Sequence, residues 1–172
     1  MVLDFEYTKD EFVDSRRKFI FMRKLITKLQ VAVFVFLGLV DIFFLCTKGV
    51  EVLKHPIMIV VNVLYILCTI MTCFLYFIQP GLMFHQTAKF HQIYHLEFLE
   101  DNIIFHTDNL HSEINWNIYT ALWENKKYFY LLQTKDIYSL IPKRVFSTEE
   151  EVIEFRELYH RQLPSVEYRY FD

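Results

Sequence analysis

The sequence has little glycine or cysteine, and neither sign of charge dominates it. Three glycines among 172 residues exclude a glycine-rich loop that could cradle a phosphate group. Three cysteines, all inside apolar stretches, form neither a disulfide framework nor a zinc-binding pattern. A formal net charge of -3 gives no sign of the concentrated basic surface that neutralises nucleic-acid phosphates. We therefore expect no cofactor and no nucleic-acid partner.

Two long apolar runs are the main feature of the chain. The first, residues 29–47, has 19 residues with one charge. As a helix it would rise about 28 Å, which is enough to cross a hydrocarbon core. The second, residues 56–78, carries no charge and is expected to end at Gln79-Pro80-Gly81. Because the connection is short, residues 29–78 predict an antiparallel transmembrane hairpin.

A buried helical hairpin in a soluble protein is the alternative, but about forty apolar residues would then need cover from the rest of a small chain. Flanking charge sets the orientation, since basic residues near a span stay in the cytoplasm. The cations before the first span are Arg16, Arg17, Lys18, Arg23, Lys24 and Lys28, against Lys48 and Lys54 in the connection. Both ends of the chain are therefore expected in the cytoplasm.

Asp41 is the one ionisable side chain expected at membrane depth, where an unpaired charge is costly. Helical rise places Asp41 and Asn62 each about 9 Å from the connection, so a hydrogen bond between them is available. We interpret them as an intramembrane polar pair that clamps the two helices together. An ion or proton site is the alternative, although two polar groups make a poor pathway.

The N-terminal segment, residues 1–28, is expected to hold a strand and an amphipathic helix. Residues 2–7 alternate apolar and polar side chains, which predicts a short half-buried strand. Thr8 and Glu11 have the spacing of a capping box, and they indicate a helix from about Lys9 to Lys28.

Residues 82–172 have a mixed polar and aromatic composition and predict a separate domain. Six short aromatic and β-branched runs with turn residues between them predict an antiparallel meander. The runs are 93–99, 103–107, 114–117, 119–123, 128–133 and 137–141. An amphipathic helix follows, capped by Ser147 and Thr148 and ended by Pro164. The predicted fold class is thus an α+β membrane protein, in which a pleckstrin-homology-like (PH-like) half-barrel with a C-terminal helix follows a two-helix hairpin.

The stretch YSLIPKRVFSTEEEVIEFRELYHRQL follows a strand with a Trp, a basic turn and an aromatic strand. It resembles the C-terminal domain of the YcxB-like family of small bacterial membrane proteins, most specifically at residues 141–146 and the helix after them. The N-terminal FEYTKDEF and the two spans are similar to that family as well. The resemblance implies a bacterial plasma-membrane location and a PH-like domain, but no known reaction. The N-terminal strand could then belong to the same sheet, which would make the hairpin an insertion.

Four cations are candidate contacts for a partner or for anionic lipid headgroups. Lys126 and Lys127 lie in a predicted hairpin turn, and Lys143 and Arg144 follow the last predicted strand. The resemblance to PH-like domains favours binding at such loops. The alternative for the lysines is an ordinary solvated turn.

No catalytic or metal site is predicted. His91 and His95 have a spacing that shares one helical face, but His95 lies in a predicted strand and no HExxH pattern is present. The serines show no Ser-His-Asp arrangement, so an enzyme is the least supported class.

The sequence predicts a membrane-anchored binding or scaffold module without catalysis, which engages the bilayer and a protein partner or a second copy of itself. One alternative is a subunit of a small oligomeric channel or transporter that acts through the hairpin. Another is an immunity-type protein that protects against a membrane-targeted toxin.

Overall fold

A computed structural model describes residues 1–23, 28–49, 51 and 55–172. The strands are β1 Val2–Phe5, β2 Tyr94–Phe98, β3 Asn102–Thr107, β4 Leu110–Asn115, β5 Ala121–Asn125, β6 Tyr128–Leu132, β7 Tyr138–Pro142 and β8 Glu167–Phe171. The α-helices are α1 Lys9–Met22, α2 Lys28–Lys48, α3 Pro56–Cys73, α4 Gln79–Gln86 and α5 Glu149–Gln162. A π-helical segment, Phe74–Ile78, joins α3 to α4.

The chain divides into two compact units. The sheet unit consists of Met1–Glu11 together with Thr87–Asp172, and the helical unit is Phe12–Gln86. The predicted N-terminal segment 1–28 is thus shared between them. Residues 24–27, through which we expected the first helix to continue, and Lys54 of the connection lie outside the described residues.

The first sheet has the strand order β1-β2-β3-β4, with antiparallel neighbours throughout. β1 pairs with β2, so that Leu3 lies opposite Leu96 and Phe5 lies opposite Tyr94. The pairing confirms that the N-terminal strand belongs to the sheet. Because β1 precedes the helical unit and β2 follows it, the helical unit is an insertion in the chain of the sheet unit.

The second sheet has the order β7-β6-β5-β8. Its first three strands form an antiparallel meander, and β8 lies parallel to β5 at the edge. The expectation of one continuous six-stranded meander is therefore wrong. The chain breaks the sheet at the 3-10 turn Trp116–Ile118, where the Asn115 side chain accepts a hydrogen bond from the Asn117 amide. Trp116 is buried there, and its indole donates to the Leu99 carbonyl at 3.0 Å.

Helix α5 supplies the shared core of the two sheets. Thr148 caps it by accepting a hydrogen bond from the Glu151 amide, as the sequence predicts. The Phe155 ring is fully buried, and its centroid lies 5.0 Å from that of Phe98 on β2 and 5.0 Å from that of Phe129 on β6. One helix face therefore binds both sheets through aromatic packing.

Helix α1 packs against the second half of the long α3–α4 helix. The rings of Phe12 and Phe84 lie 5.7 Å apart, and those of Phe21 and Tyr76 lie 5.7 Å apart. Phe12, Phe19 and Met22 are buried, as the amphipathic pattern indicates. The buried residues Phe12, Phe19 and Met22 share one face of α1, whereas Phe21 contacts Tyr76 from another side of the helix and is 46% exposed.

The expected break at Gln79-Pro80-Gly81 is wrong, since helical structure continues to Gln86. Pro80 has no N–H for the Tyr76 carbonyl one turn earlier. The π-helical segment before it shifts the hydrogen-bond pattern, and the Gln79 amide donates to Phe74 five residues back. The Arg17 Nε donates to the Tyr76 carbonyl at 3.2 Å, and its guanidinium lies 5.1 Å from the Tyr76 ring centroid. A cation from α1 therefore satisfies the carbonyl that proline cannot.

Among the described residues, two helices are long and apolar enough to cross a membrane, Gln30–Lys48 and Met58–Gln86. The most apolar stretch of each helix contains no buried residue. Large side chains such as Phe36 and Met71 are each 64% exposed. A buried core helix would hide these side chains, so the exposure leaves an apolar surface that needs a partner or a lipid environment.

Candidate functional site

The carboxylate of Glu124 on β5 is fully buried and accepts several hydrogen bonds in the sheet unit. Its Oε1 accepts from Lys143 Nζ at 2.5 Å and from Arg156 Nη2 at 2.7 Å. Its Oε2 accepts from Arg156 Nε at 3.0 Å and from the Tyr168 hydroxyl at 2.8 Å. One carboxylate thus joins β5, the turn after β7, α5 and β8.

These contacts set the protonation state of Glu124. Burial alone would raise the pKa of its carboxyl, but hydrogen bonds from Arg156, Lys143 and Tyr168 outweigh burial and lower the pKa. The hydrogen bond to Glu124 also raises the pKa of Arg156. Because the carboxylate is ionised and both of its oxygens accept hydrogen bonds, it is a poor general base. Its role is structural, since it holds the surrounding elements of the sheet unit together.

Arg144, one of the predicted contact residues, is bound to the start of α1. Its guanidinium forms a fork with the Glu11 carboxylate, in which Nη2 lies 2.8 Å from Oε2, and Nη2 also donates to the Glu6 carbonyl at 2.8 Å. The hydrogen bond from Arg144, with smaller contributions from Thr8, lowers the pKa of Glu11. Thr8 and Glu11 form the expected capping box. The Arg144 side chain remains 49% exposed.

The structure does not bring the four predicted cations into one patch of unpaired charge. Lys143 is directed at Glu124, and its side chain is only 16% exposed. Lys126 is 77% exposed and lies 3.9 Å from the Asp172 carboxylate. The Lys127 side chain is exposed after β5. Contact of these residues with headgroups or a partner stays a prediction, and it would require Lys143 to leave its buried partner.

The imidazoles of the first sheet form a row. His95 lies opposite His106, and His106 lies opposite His111, with ring centroids 5.9 Å and 5.7 Å apart. His95 Nδ1 is also 2.6 Å from Asp4 Oδ1. Among the described residues, no group of three or more His, Cys, Asp or Glu side chains is gathered around a single ion position. His91, the residue we paired with His95 in the sequence, belongs to a 3-10 turn before β2.

In the helical unit, the contact between α2 and α3 is made by residues that the sequence did not single out. The Tyr65 hydroxyl donates to the Phe34 carbonyl at 3.2 Å, and the two rings lie 5.7 Å apart. A Cβ atom at Gly38 would lie 3.1 Å from the Tyr65 hydroxyl, so the missing side chain makes room for it. Small residues permit such close approach between helices.

The predicted polar pair is not joined by a hydrogen bond in the described part of the chain. The Asn62 amide donates to the Met58 carbonyl of its own helix at 3.0 Å. The pair of Asp41 and Asn62 therefore stays a prediction.

Sequence reasoning missed Glu124, because Glu124-Asn125-Lys126-Lys127 reads as a hairpin turn. The structure extends β5 to Asn125, and the Asn125 side chain makes the turn by accepting from the Lys127 and Tyr128 amides. The available signal was the set of charged residues in or next to aromatic and apolar stretches, namely Glu124, Arg156 and Lys143. Their partnership could not be inferred from spacing, because they lie far apart in the chain.

The architecture defines a class of protein: a mixed α+β chain in which two long apolar helices are inserted after the first strand of a two-sheet unit closed by α5. Residues 98–158 match the family model described as YcxB-like protein, so the chain carries a YcxB-like domain there. The match covers β2 from its last residue through most of α5, including Glu124, Lys143 and Arg156. No curated protein and no solved structure matches the chain.

Proposed function

We propose that the protein is a membrane-anchored binding or scaffold module of the bacterial plasma membrane. In this proposal the helical unit crosses the bilayer as a two-helix hairpin, and the sheet unit is a PH-like domain in the cytoplasm. The module engages a protein partner or a second copy of the chain, and its exposed cations contact anionic headgroups. Binding, and not catalysis, is its task.

The observation that best supports a two-helix membrane hairpin is the pairing of β1 with β2. These strands lie on opposite sides of the helical unit in the chain, yet they are adjacent in one sheet. A chain that enters a bilayer after β1 must therefore return to the same face before β2. Only an even number of crossings meets this requirement, and the two long apolar helices supply two.

Exposed apolar surface and flanking charge support the membrane assignment. The helices present large aliphatic and aromatic side chains outward. An α-helix pairs most of its backbone polar groups internally, as hydrocarbon requires. Cations are denser before the first span than in the connection, which favours cytoplasmic ends. The Tyr76 ring and the Arg17 guanidinium beside it lie near the end of the apolar run 56–78, a suitable pair for an interface.

A binding role fits the sheet unit better than catalysis. Its buried carboxylate, Glu124, is saturated by Arg156, Lys143 and Tyr168, so it is not poised to move a proton. The antiparallel strands β1 to β4, the antiparallel strands β5 to β7 and the helix α5 after them support the proposal of a PH-like domain, to which β8 would be an addition after the helix. PH-like domains often bind anionic headgroups or phosphorylated groups through their loops, which agrees with a binding role.

A hairpin exchange separates this function from that of a channel or transporter subunit. Residues 82–172 would not suffice as a transplanted module, because β1 belongs to the sheet. The exchange therefore replaces residues 12–86 by an unrelated two-span hairpin and keeps β1 and the rest of the sheet unit in one chain. Proteins that copurify after crosslinking in native membranes are then compared between the chimera and the unaltered protein.

The proposal predicts that the chimera retains the crosslinked partners of the unaltered protein. The matched control retains residues 12–86 and carries Glu124→Ala, which removes the anchor of the sheet unit and should lose those partners. Loss of the partners in the chimera, with retention in the Glu124→Ala variant, would assign the function to the hairpin. That outcome favours the channel or transporter alternative.

A further inference from the structure

A row of four polar side chains crosses one face of the first sheet, one from each strand. The register places Asp4 of β1 opposite His95 of β2, His95 opposite His106 of β3, and His106 opposite His111 of β4. All four side chains are exposed. Residues directly opposite each other in a sheet share a face, so the register sets three imidazoles side by side.

The spacing of these imidazoles is close to that of metal ligands. The ring centroids of His95 and His106 are 5.9 Å apart, and those of His106 and His111 are 5.7 Å apart. Two imidazoles that bind one zinc ion through nitrogen at about 2.0–2.1 Å have centroids roughly 5 to 5.5 Å apart. A small rotation of two exposed side chains would therefore close either pair onto an ion.

Asp4 orients the imidazole of His95, at one end of the row, for metal binding. His95 Nδ1 lies 2.6 Å from Asp4 Oδ1, so the ring can donate its Nδ1 hydrogen to the carboxylate. The lone pair is then on Nε2, and a carboxylate behind an imidazole is the usual outer partner of a metal-binding histidine. The strands β1 to β4 contain Glu97 and Glu113 and no lysine or arginine, which favours a cation.

The geometry points to a binding site for a divalent late transition-metal ion such as Zn²⁺ on this face, held by two imidazoles and completed by water. His106 is common to both possible pairs, His95 with His106 and His106 with His111. Nitrogen donors suit Zn²⁺, Cu²⁺ and Ni²⁺, whereas Mg²⁺ and Ca²⁺ prefer sites built from oxygen. We propose two protein ligands and not three, because His95 and His111 lie on opposite sides of His106 and are too far apart to bind one ion together.

Titration calorimetry of the full chain in detergent, with any polyhistidine tag removed, tests the site. The probes are Zn²⁺ and, as the control ion, Mg²⁺. We expect Zn²⁺ binding by the unaltered protein, with at least a tenfold loss of affinity in His106→Gln because both pairs share this ligand. His95→Gln and His111→Gln each leave one pair and should bind more tightly than His106→Gln. In the His111→Gln background, Asp4→Asn should weaken binding by about tenfold.

His85→Gln is the matched control, because His85 is exposed on α4 and outside the row. It should bind Zn²⁺ like the unaltered protein. All these side chains are exposed, and an unchanged melting temperature for each variant without metal shows that its fold is intact. Unchanged Zn²⁺ affinity in His106→Gln, or a Zn²⁺ affinity no higher than that for Mg²⁺, would overturn the proposal. Equal losses in the three row variants would contradict the shared ligand.

Discussion

The guanidinium of Arg156 on α5 holds the carboxylate of Glu124 on β5 through two hydrogen bonds, from Nε at 3.0 Å and from Nη2 at 2.7 Å. This fork fixes the helix to the second sheet at one point, while the Phe155 ring packs against both sheets. A forked arginine–carboxylate contact adds geometric specificity to the energy of the ion pair. The same carboxylate also holds Lys143, which begins the turn that contains Arg144.

Replacing Glu124 by Gln should destabilise the sheet unit by about 3–5 kcal/mol, because Lys143 and Arg156 would lose a partner inside the protein. Thermal unfolding of the full chain in detergent measures the loss. Glu154→Gln is the matched control, since Glu154 lies on the exposed face of α5 and should change stability by less than about 0.5 kcal/mol. Equal effects of the two substitutions would show that the buried cluster does not stabilise the fold.

Acid should weaken the sheet unit through Glu124 and Glu11, whose pKa values are lowered in the folded protein. A carboxyl with a lower pKa when folded stabilises the fold above its unfolded pKa, about 4.3 for glutamate. That stabilisation is lost as the pH falls through the folded pKa. The melting temperature of the unaltered protein should therefore fall below about pH 4.3, and that of Glu124→Gln should fall less. Parallel pH curves for the two proteins would contradict this assignment.

Local patterns predicted the elements well where a single stretch of sequence determines the structure. The capping box of Thr8 and Glu11, the Thr148 cap and the alternation in β1 all depend on neighbours in the chain. The division into two sheets could not be predicted in this way, because it depends on the burial of Trp116 against distant partners such as Phe98 and Tyr159. The strand β8 was missed, although residues 167–171 carry aromatic side chains after Pro164.

Arg17 and Pro80 should be energetically coupled through the Tyr76 carbonyl. Arg17→Gln removes a charged donor and should cost about 1.5 kcal/mol in the unaltered background. Pro80→Ala restores an N–H that can bond this carbonyl, so Arg17→Gln should cost less in the Pro80→Ala background. A double-mutant cycle of thermal stability measures the difference. A cycle without coupling would show that the Arg17 contact does not replace the missing proline bond.

The continuous helix through Pro80 shows why a proline-glycine pair misled the sequence analysis. A proline followed by glycine favours the end of a helix, and the reason is local. The compensating groups are not local, since Arg17 comes from α1 and lies far from Pro80 in the chain. The helix contact at Tyr65 was missed for the same reason, because the acceptor is a backbone carbonyl of the other helix.

Tyr65→Phe should weaken the contact between α2 and α3 by about 0.6–1 kcal/mol, since it removes the hydrogen bond to Phe34 and keeps the ring. Gly38→Val should cost more, because its Cβ atom alone would lie 3.1 Å from the Tyr65 hydroxyl and its methyl groups would crowd the ring. Thermal unfolding in detergent measures both. Gly81→Ala is the control, as a Cβ atom there meets nothing within 4 Å. It should be neutral or stabilising, and equal losses at Gly38 and Gly81 would contradict this account of the contact.

The proposed membrane topology is tested by thiol labelling of intact bacterial cells that produce the protein. Cys46, Cys68 and Cys73 are replaced by alanine, and single cysteines are introduced at Glu51 in the connection or at Lys126 in the sheet unit, both exposed positions. A membrane-impermeant maleimide should label position 51 in intact cells and position 126 only after lysis. Labelling of position 126 from outside, or recovery of the protein in the soluble fraction, would contradict the anchored cytoplasmic module.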